Sequence, residues 1–320
     1  MKQLALLTVA ALAAIVSARE KPLASTFSIV ARDPAAGELG VAVASRYFAV
    51  GAVVPWAKAG VGAVATQSFV NPAFGPRGLD LLARGMNPGQ TLKALLASDD
   101  DPNGRQVGIV SANGESVTYS GPKCNPWAGG RHGPNYAIQG NILTGEAVVD
   151  AMEKAFLETK GTLAVRMYAA LLAGDSKGGD SRGRQSAALI VVKEGAGAGG
   201  YDDRAIDIRV DDNPDPFREL GRLLTLAETN YLWNTGWTAF EKKNYPAALE
   251  AQEHAALEAP VNAELLYDLA VIRLANGRRA ESLAALSKAL RLNPKLKQQA
   301  ANDKDLTALH GDAAFQELVR

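Results

Sequence analysis

Several chemistries are scarce in this sequence, and each scarcity excludes something. Cys124 is the only cysteine in 320 residues. One thiol forms no intramolecular disulfide, so the fold must rest on its core. The three histidines, His132, His254 and His310, form no nucleophile signature with Cys124, which is expected to be an inert or weakly exposed thiol. HExxH and CxxC spacings are missing, so neither zinc nor any other cofactor is expected. Net charge is also missing: 34 basic residues balance 34 acidic ones. That balance gives no electrostatic case for nucleic acid or an acidic membrane surface. Hydrophobic residues at 47% and charged residues at 21% are ordinary for a soluble globular protein, and the length allows two domains.

The longest apolar run is confined to the N-terminus. Met1-Lys2 precedes "LALLTVAALAAIV", then "VSA" ending at Ala18, then charged Arg19-Glu20-Lys21. A basic start, a short apolar centre and small residues at −3 and −1 describe a secretory signal peptide over residues 1–18. The run is short for a membrane span, so the mature chain is expected to have none. Without a lipobox Cys, a lipoprotein is disfavoured, and the expected location is secreted or periplasmic. A buried N-terminal helix is the alternative, and the polar flanks argue against it.

Beyond this segment, short strand-like stretches dominate. "TFSIVAR" alternates, "DPAAGE" turns and "LGVAVAS" pairs back as a hairpin. "GVGAVATQS" is a third strand, with small residues suited to close packing. Two helices follow: Gly75 to Gly85, then one opened by Asn87 as N-cap with Pro88 at its first position. "RQVGIVSANGESVTYS" is a hairpin turning at Asn113-Gly114. A loop from Gly121 to Asn135 leads to helices at about 146–159 and 162–173, then to strands "RQSAALIVV" and "DRAIDIRV". Hairpins alternating with helix pairs predict an α+β fold, a four-layer αββα sandwich over residues 26–213.

From residue 214 to 320 the chain turns helical and rich in Ala, Leu, Glu and Lys. Leu269, Ala270, Gly277, Ala280, Ala284, Ala289 and Pro294 fall close to the tetratricopeptide (TPR) pattern, and Trp237, Phe240, Tyr245 and Ala248 play similar parts before them. Two repeats are fewer than independent stability needs, so the expected task of this TPR-like region is packing or binding a protein partner.

Four blocks carry a family resemblance: the stretch from "TFSIVARDPAAGELGVAVASRYFAV" through "TQSFVNPAFG", then "YAIQGNIL", "GGDSRGRQSAALIVV" and "YDDRAIDIRVDDNPDP". From Thr26 to about Leu224 the chain resembles the domain-of-unknown-function 1028 family, placed within the N-terminal-nucleophile (Ntn) hydrolase fold. The resemblance implies an αββα fold and leaves the substrate undefined. It also implies Thr26 as a nucleophile whose free α-amine would act as general base. "VAVASR" resembles a proteasome-like segment through Ser45 and Arg46, but Ala44 stands where that segment carries an acid. Arg46 would either keep the field around Thr26 positive, with Asp33 as orienting partner, or be a solvated strand end. Thr66, Gln67 and Ser68 match the place where such enzymes bind a substrate backbone, and Asn141 is the candidate oxyanion donor. Asp180, Arg182 and Gln185, in a Gly-flanked loop, are either substrate-binding residues or ordinary turn chemistry with an internal Asp–Arg pair.

The expected function is therefore an exported amidohydrolase acting on a small molecule or peptide, processed at Ser25-Thr26 by autoproteolysis or by signal peptidase. A cut after Ala18 would leave Arg19–Ser25 in front of the nucleophile. The alternative is a non-catalytic scaffold that binds an envelope or extracellular partner through its helical region. Whether the chain forms a homo-oligomer stays open.

Overall fold

A computed structural model describes residues 23–24 and 26–320. The expected signal peptide lies outside the described residues. The chain divides into two compact units, one of residues 1–189 with 209–217, the other of residues 190–208 with 218–320.

The strands of the chain form two antiparallel sheets. One comprises β1 (Leu23–Ala24), β4 (Pro55–Lys58), β5 (Gly62–Phe69), β6 (Arg105–Ser111) and β7 (Ser116–Ser120), in the order β1-β5-β6-β7 with β4 also on β5. The other comprises β2 (Thr26–Asp33), β3 (Glu38–Ser45), β8 (Gly129–Gly133), β9 (Tyr136–Asn141), β10 (Ser186–Val192) and β11 (Arg204–Val210), ordered β11-β10-β3-β2-β9-β8. The expected first hairpin forms, with Thr26 opposite Ser45 and Asp33 opposite Glu38. The Asn113-Gly114 turn joins β6 to β7, and Gly114 takes the φ of +93° that favours glycine there.

Strand periodicity sorts the two faces of β2. Phe27, Ile29 and Ala31 form one face, while Thr26, Ser28 and Val30 form the other, and all six are buried. The Ser28 hydroxyl meets Gln67 of β5, so that second face looks toward the other sheet. Helices cover the outer faces. Helix α1 (Phe74–Ala83) packs on β4 and β5, and α2 (Pro88–Ala97) packs on β6 and β7. Helices α3 (Ala147–Glu158) and α4 (Leu163–Ser176) pair with each other, α3 lying on β8 and β9 and α4 on β2 and β3.

Local signals explain the helix starts. Asn87 and Gln90 form a reciprocal capping box at α2, and the Thr162 hydroxyl accepts the Val165 N–H at α4. β4 and β8 are among the strands that were not anticipated. β4 opens on Pro55 and sits at an edge, where a missing N–H is tolerated. β8, "GGRHG", lies inside the expected 121–135 loop, and its three glycines erase any apolar alternation.

The second unit contains α5 (Pro216–Glu241) from Arg218 onward, α6 (Tyr245–Glu258), α7 (Ala263–Ala275), α8 (Arg279–Leu292), α9 (Leu296–Asn302) and α10 (Ala313–Val319). Leu266, Leu269, Ile272, Leu286, Leu290, Leu306 and Phe315 fuse these helices into one core. Gly236 is in contact range of α6: a Cβ there would lie 2.7 Å from Gln252 Oε1. No helix among the described residues is long and apolar enough to cross a membrane.

Candidate functional site

Thr26 is fixed by its neighbours on both sides. In the β3-β2-β9 ladder it stands opposite Ser45 and opposite Asn141, so three residues far apart in sequence share one row. All three are buried. Thr26 Oγ1 donates to Ser45 Oγ at 3.2 Å.

An amide network underlies this row, between the sheets. Gln67 Nε2 donates to Thr26 O at 3.2 Å and to Gln106 Oε1 at 2.8 Å. Gln106 Oε1 also accepts Asn141 Nδ2 at 2.8 Å, while Gln106 Nε2 donates to Ser120 Oγ and to Gly140 O at 2.7 and 2.6 Å. The Ser28 hydroxyl donates to Gln67 Oε1 and accepts Gln139 Nε2, both at 2.6 Å. Ser28, Gln67, Gln106 and Gln139 are completely buried. No ionisable side chain takes part in these bonds, so the network can orient groups but offers no acid or base of its own. Space for it comes from Gly108 on β6, where a Cβ would lie 2.0 Å from Gln139 Oε1. Sequence reasoning missed Gln106 and Ser28. The signal was parity: Gln106 alternates with Gly108 and Val110 on the face of β6 turned to the other sheet.

Two strands leave this region through unusual backbone. Ser68 follows Gln67 at φ +67°, and Ile142 follows Asn141 at φ +52°. A left-handed conformation is costly for a β-branched residue such as Ile142 and is held by its surroundings. Ile142 N–H donates to Asn125 O, and Ile142 O accepts the Ser181 N–H, both at 3.0 Å.

A charged knot closes the end of β3. Buried Asp180 accepts the Arg46 N–H at 2.7 Å and the Arg182 N–H at 2.9 Å, and pairs with the Arg182 guanidinium at 3.2 Å. Arg46 Nη1 donates to Arg182 O, while Arg182 Nη2 donates to Arg46 O at 3.1 Å. Arg46 is thus exposed, with its guanidinium engaged by Arg182 in this knot.

Asp33 requires a correction. It sits at the far end of β2, about 23 Å along the strand from Thr26 at ~3.3 Å per residue. There it accepts the Ala35 and Ala36 N–H groups and lies 3.5 Å from Arg166. It caps a turn and cannot orient Arg46 beside Thr26. Gln185 is also elsewhere: its Nε2 donates to Asp212 Oδ1 at 2.9 Å. The Thr66 hydroxyl donates to Asn71 O at 3.2 Å. Cys124 donates to Arg105 O at 3.4 Å, and burial raises its thiol pKa, as expected of an unreactive thiol.

Beside Ser45 lies a cavity of about 170 Å³, lined by Phe27, Phe217, Asp180, Arg184 and Ser186 among others. Its polar walls are mutually satisfied: Arg184 pairs with Asp175 at 2.6 Å, and Ser186 Oγ donates to Tyr47 O at 2.6 Å. Among the described residues, no group of three or more His, Cys, Asp or Glu side chains could hold a metal ion.

Two antiparallel sheets with helices on their outer faces, a buried Thr between a Ser and an Asn, and a helical C-terminal region define a mixed α/β protein. Residues 26–220 match the family of unknown function DUF1028, and the chain belongs to that family. The crystal structure of protein SPO2555 from Silicibacter pomeroyi, of the same family, is similar at 26% identity and a TM-score of 0.58, over 63% of this chain and 89% of that one. No curated protein matches the chain.

Proposed function

We propose that this protein is an exported Ntn-type amidohydrolase, that its layering is the four-layer αββα sandwich of that fold, and that Thr26 becomes the N-terminal nucleophile. The observation that carries the reading is the row Ser45–Thr26–Asn141, which holds one hydroxyl at the head of a central strand between a hydroxyl and an amide. The family match also begins at Thr26.

In the maturation step, Thr26 Oγ1 attacks the Ser25 carbonyl carbon, and the amide C–N bond breaks to leave an ester and a free Thr26 amine. Water then hydrolyses the ester, releasing the leader as a carboxylate. In turnover the amine, with an ordinary pKa near 8, takes the Thr26 hydroxyl proton as the oxygen attacks a substrate amide. That proton passes to the leaving amine, and water cleaves the acyl-enzyme. Asn141 is the proposed oxyanion donor, a role worth about 3–4 kcal/mol of transition-state stabilisation. The helical region is proposed to be TPR-like and to bind a protein partner.

The test is hydrolysis of a panel of N-acyl amides and peptides by the purified protein and by Thr26→Ala. Activity that survives in the variant would overturn the reading. A second reading, a non-catalytic scaffold, is favoured by the complete burial of Thr26 and by the engagement of Arg46 with Arg182. An inactive wild type with a free Thr26 amine would support it.

A further inference from the structure

The turn between β10 and β11, Lys193 to Asp203, and the C-terminal half of α5 both belong to the second unit. Between them lies a cavity of about 470 Å³ that the reading of Thr26 leaves unused. The turn is held by its own main chain: Lys193 N–H donates to Asp203 O and Gly197 N–H to Asp202 O, both at 2.9 Å. The two adjacent carboxylates are committed to the same turn. Asp203 Oδ1 accepts the Gly195 N–H at 3.0 Å, and Asp202 Oδ1 accepts the Arg204 N–H at 2.9 Å. Neither aspartate lines the cavity.

The opposite wall is polar. Tyr231, Asn234, Thr235 and Thr238 lie on α5 and Lys242 just beyond its end, and at 3.6 residues per turn they fall within about 100° of arc. The other side of this helix carries Trp237 and Phe240, packed on the helical core. Thr235 Oγ1 donates to Tyr231 O at 2.8 Å, whereas the Asn234 and Thr238 side chains make no hydrogen bond among the described residues. Lysines enter from both walls. Lys193 comes from the turn and Lys242 from the helix end, and neither makes an ion pair among the described residues. Glu194, the one acid in the lining, is exposed and pairs with neither.

Two unpaired cations in one concave site favour a ligand with more than one negative charge. A phosphate monoester carries close to two at pH 7, and lysine ammoniums bind phosphate as point charges. The volume is that of a small-molecule site and exceeds what a bare phosphate fills, which leaves the polar stripe to meet the rest of the ligand. Amide and hydroxyl side chains both donate and accept, so they suit ligand hydroxyls. We propose that this cavity binds a hydroxylated phosphate monoester of the sugar-phosphate class. Lys193 and Lys242 hold its phosphate, and Asn234 and Thr238 hold its hydroxyls. The site is independent of Thr26 and of any hydrolysis there.

The test is isothermal titration calorimetry of the full chain with glucose 6-phosphate, ribose 5-phosphate and glycerol 3-phosphate, with glucose and inorganic phosphate for comparison. At least one of the three esters should bind with a Kd below about 1 mM, and glucose at least about tenfold more weakly than the best ester. Lys193→Ala and Lys242→Ala should each weaken that ester about fivefold, the scale of one exposed charge pair, and raised salt should weaken it too. Glu194→Gln, which removes the opposing charge, should tighten binding. Thr238→Val, close to isosteric, should weaken the ester and leave inorganic phosphate unchanged. All four positions are exposed or half-buried, and matched melting curves by circular dichroism guard against a folding defect. Failure of all three esters to bind, equal binding of glucose, or affinity untouched by both lysine variants would overturn the proposal. Wild-type affinity for the ester in Thr238→Val would overturn the placing of its hydroxyls on this stripe.

Discussion

Thr26 donates its hydroxyl to Ser45 across one rung of the β2–β3 ladder, at 3.2 Å, with both side chains buried. A bond inside a ladder is set by register, and register here is locked by the buried faces of both strands. The hydroxyl of Thr26 is therefore oriented by the fold as a whole.

Ser45→Ala should slow amide hydrolysis about fivefold, roughly the value of one net hydrogen bond near 1 kcal/mol. Ser45→Thr, which keeps the hydroxyl, should recover part of that loss. Steady-state kinetics on one amide substrate would check it, and equal rates for all three proteins would remove Ser45 from the account.

Gln106→Leu should destabilise the first unit by about 2–4 kcal/mol. The change removes an acceptor from the Gln67 and Asn141 amides and a donor from Gly140 O and Ser120 Oγ in a dry interior, at roughly 1–3 kcal/mol for a buried group that loses its bond, offset by partial relaxation. Urea unfolding measures this directly. A loss below about 1 kcal/mol would mean that water or a rearranged amide replaces Gln106.

At Gly108 the obstacle is steric. A methyl group there would lie 2.0 Å from Gln139 Oε1, so Gly108→Ala must expel that side chain from its bond to Ser28. The expected cost is about 2 kcal/mol or more, visible as a lower unfolding midpoint. Unchanged stability would show that the Gln139 amide has room to shift.

Asp268, in the helical unit, gives a pH signature. Burial raises its pKa to about 6, with Asp303 and Glu264 adding to the shift and the Trp233 N–H, 2.8 Å away, opposing it. A carboxyl raised on folding contributes stability that is fully present below its unfolded value near 3.8 and is lost as pH rises through 6. The helical unit should therefore lose on the order of 2 kcal/mol between about pH 4 and pH 7 from this group. Asp268→Asn keeps an acceptor for Trp233 and should flatten that slope. Thermal unfolding followed by circular dichroism across this range is the measurement, and parallel slopes in the two proteins would contradict it.

Much of the fold was legible because its signals are local. The Asn87-Pro88 start and the Asn113-Gly114 turn each act within a few residues, and the β2–β3 hairpin follows from alternation. β4 and β8 were hidden by a proline start and by glycines, which carry no periodic signal. At the candidate site, Thr26, Ser45 and Asn141 are each recognisable in the sequence, but their alignment depends on pairing across the sheet. Asp33 shows the converse. It shares a strand with Thr26, and seven residues of extended chain carry it away from the row. Gln106 escaped notice because a lone glutamine in an apolar strand reveals its purpose only when the opposite sheet is present.

The central claim is that Thr26 becomes a chain terminus. Intact mass and N-terminal sequencing of the purified, active protein test it most directly. The account predicts a mature chain beginning at Thr26, with Thr26→Ala left unprocessed at that bond and inactive. An active wild-type chain that begins at Arg19 would contradict it.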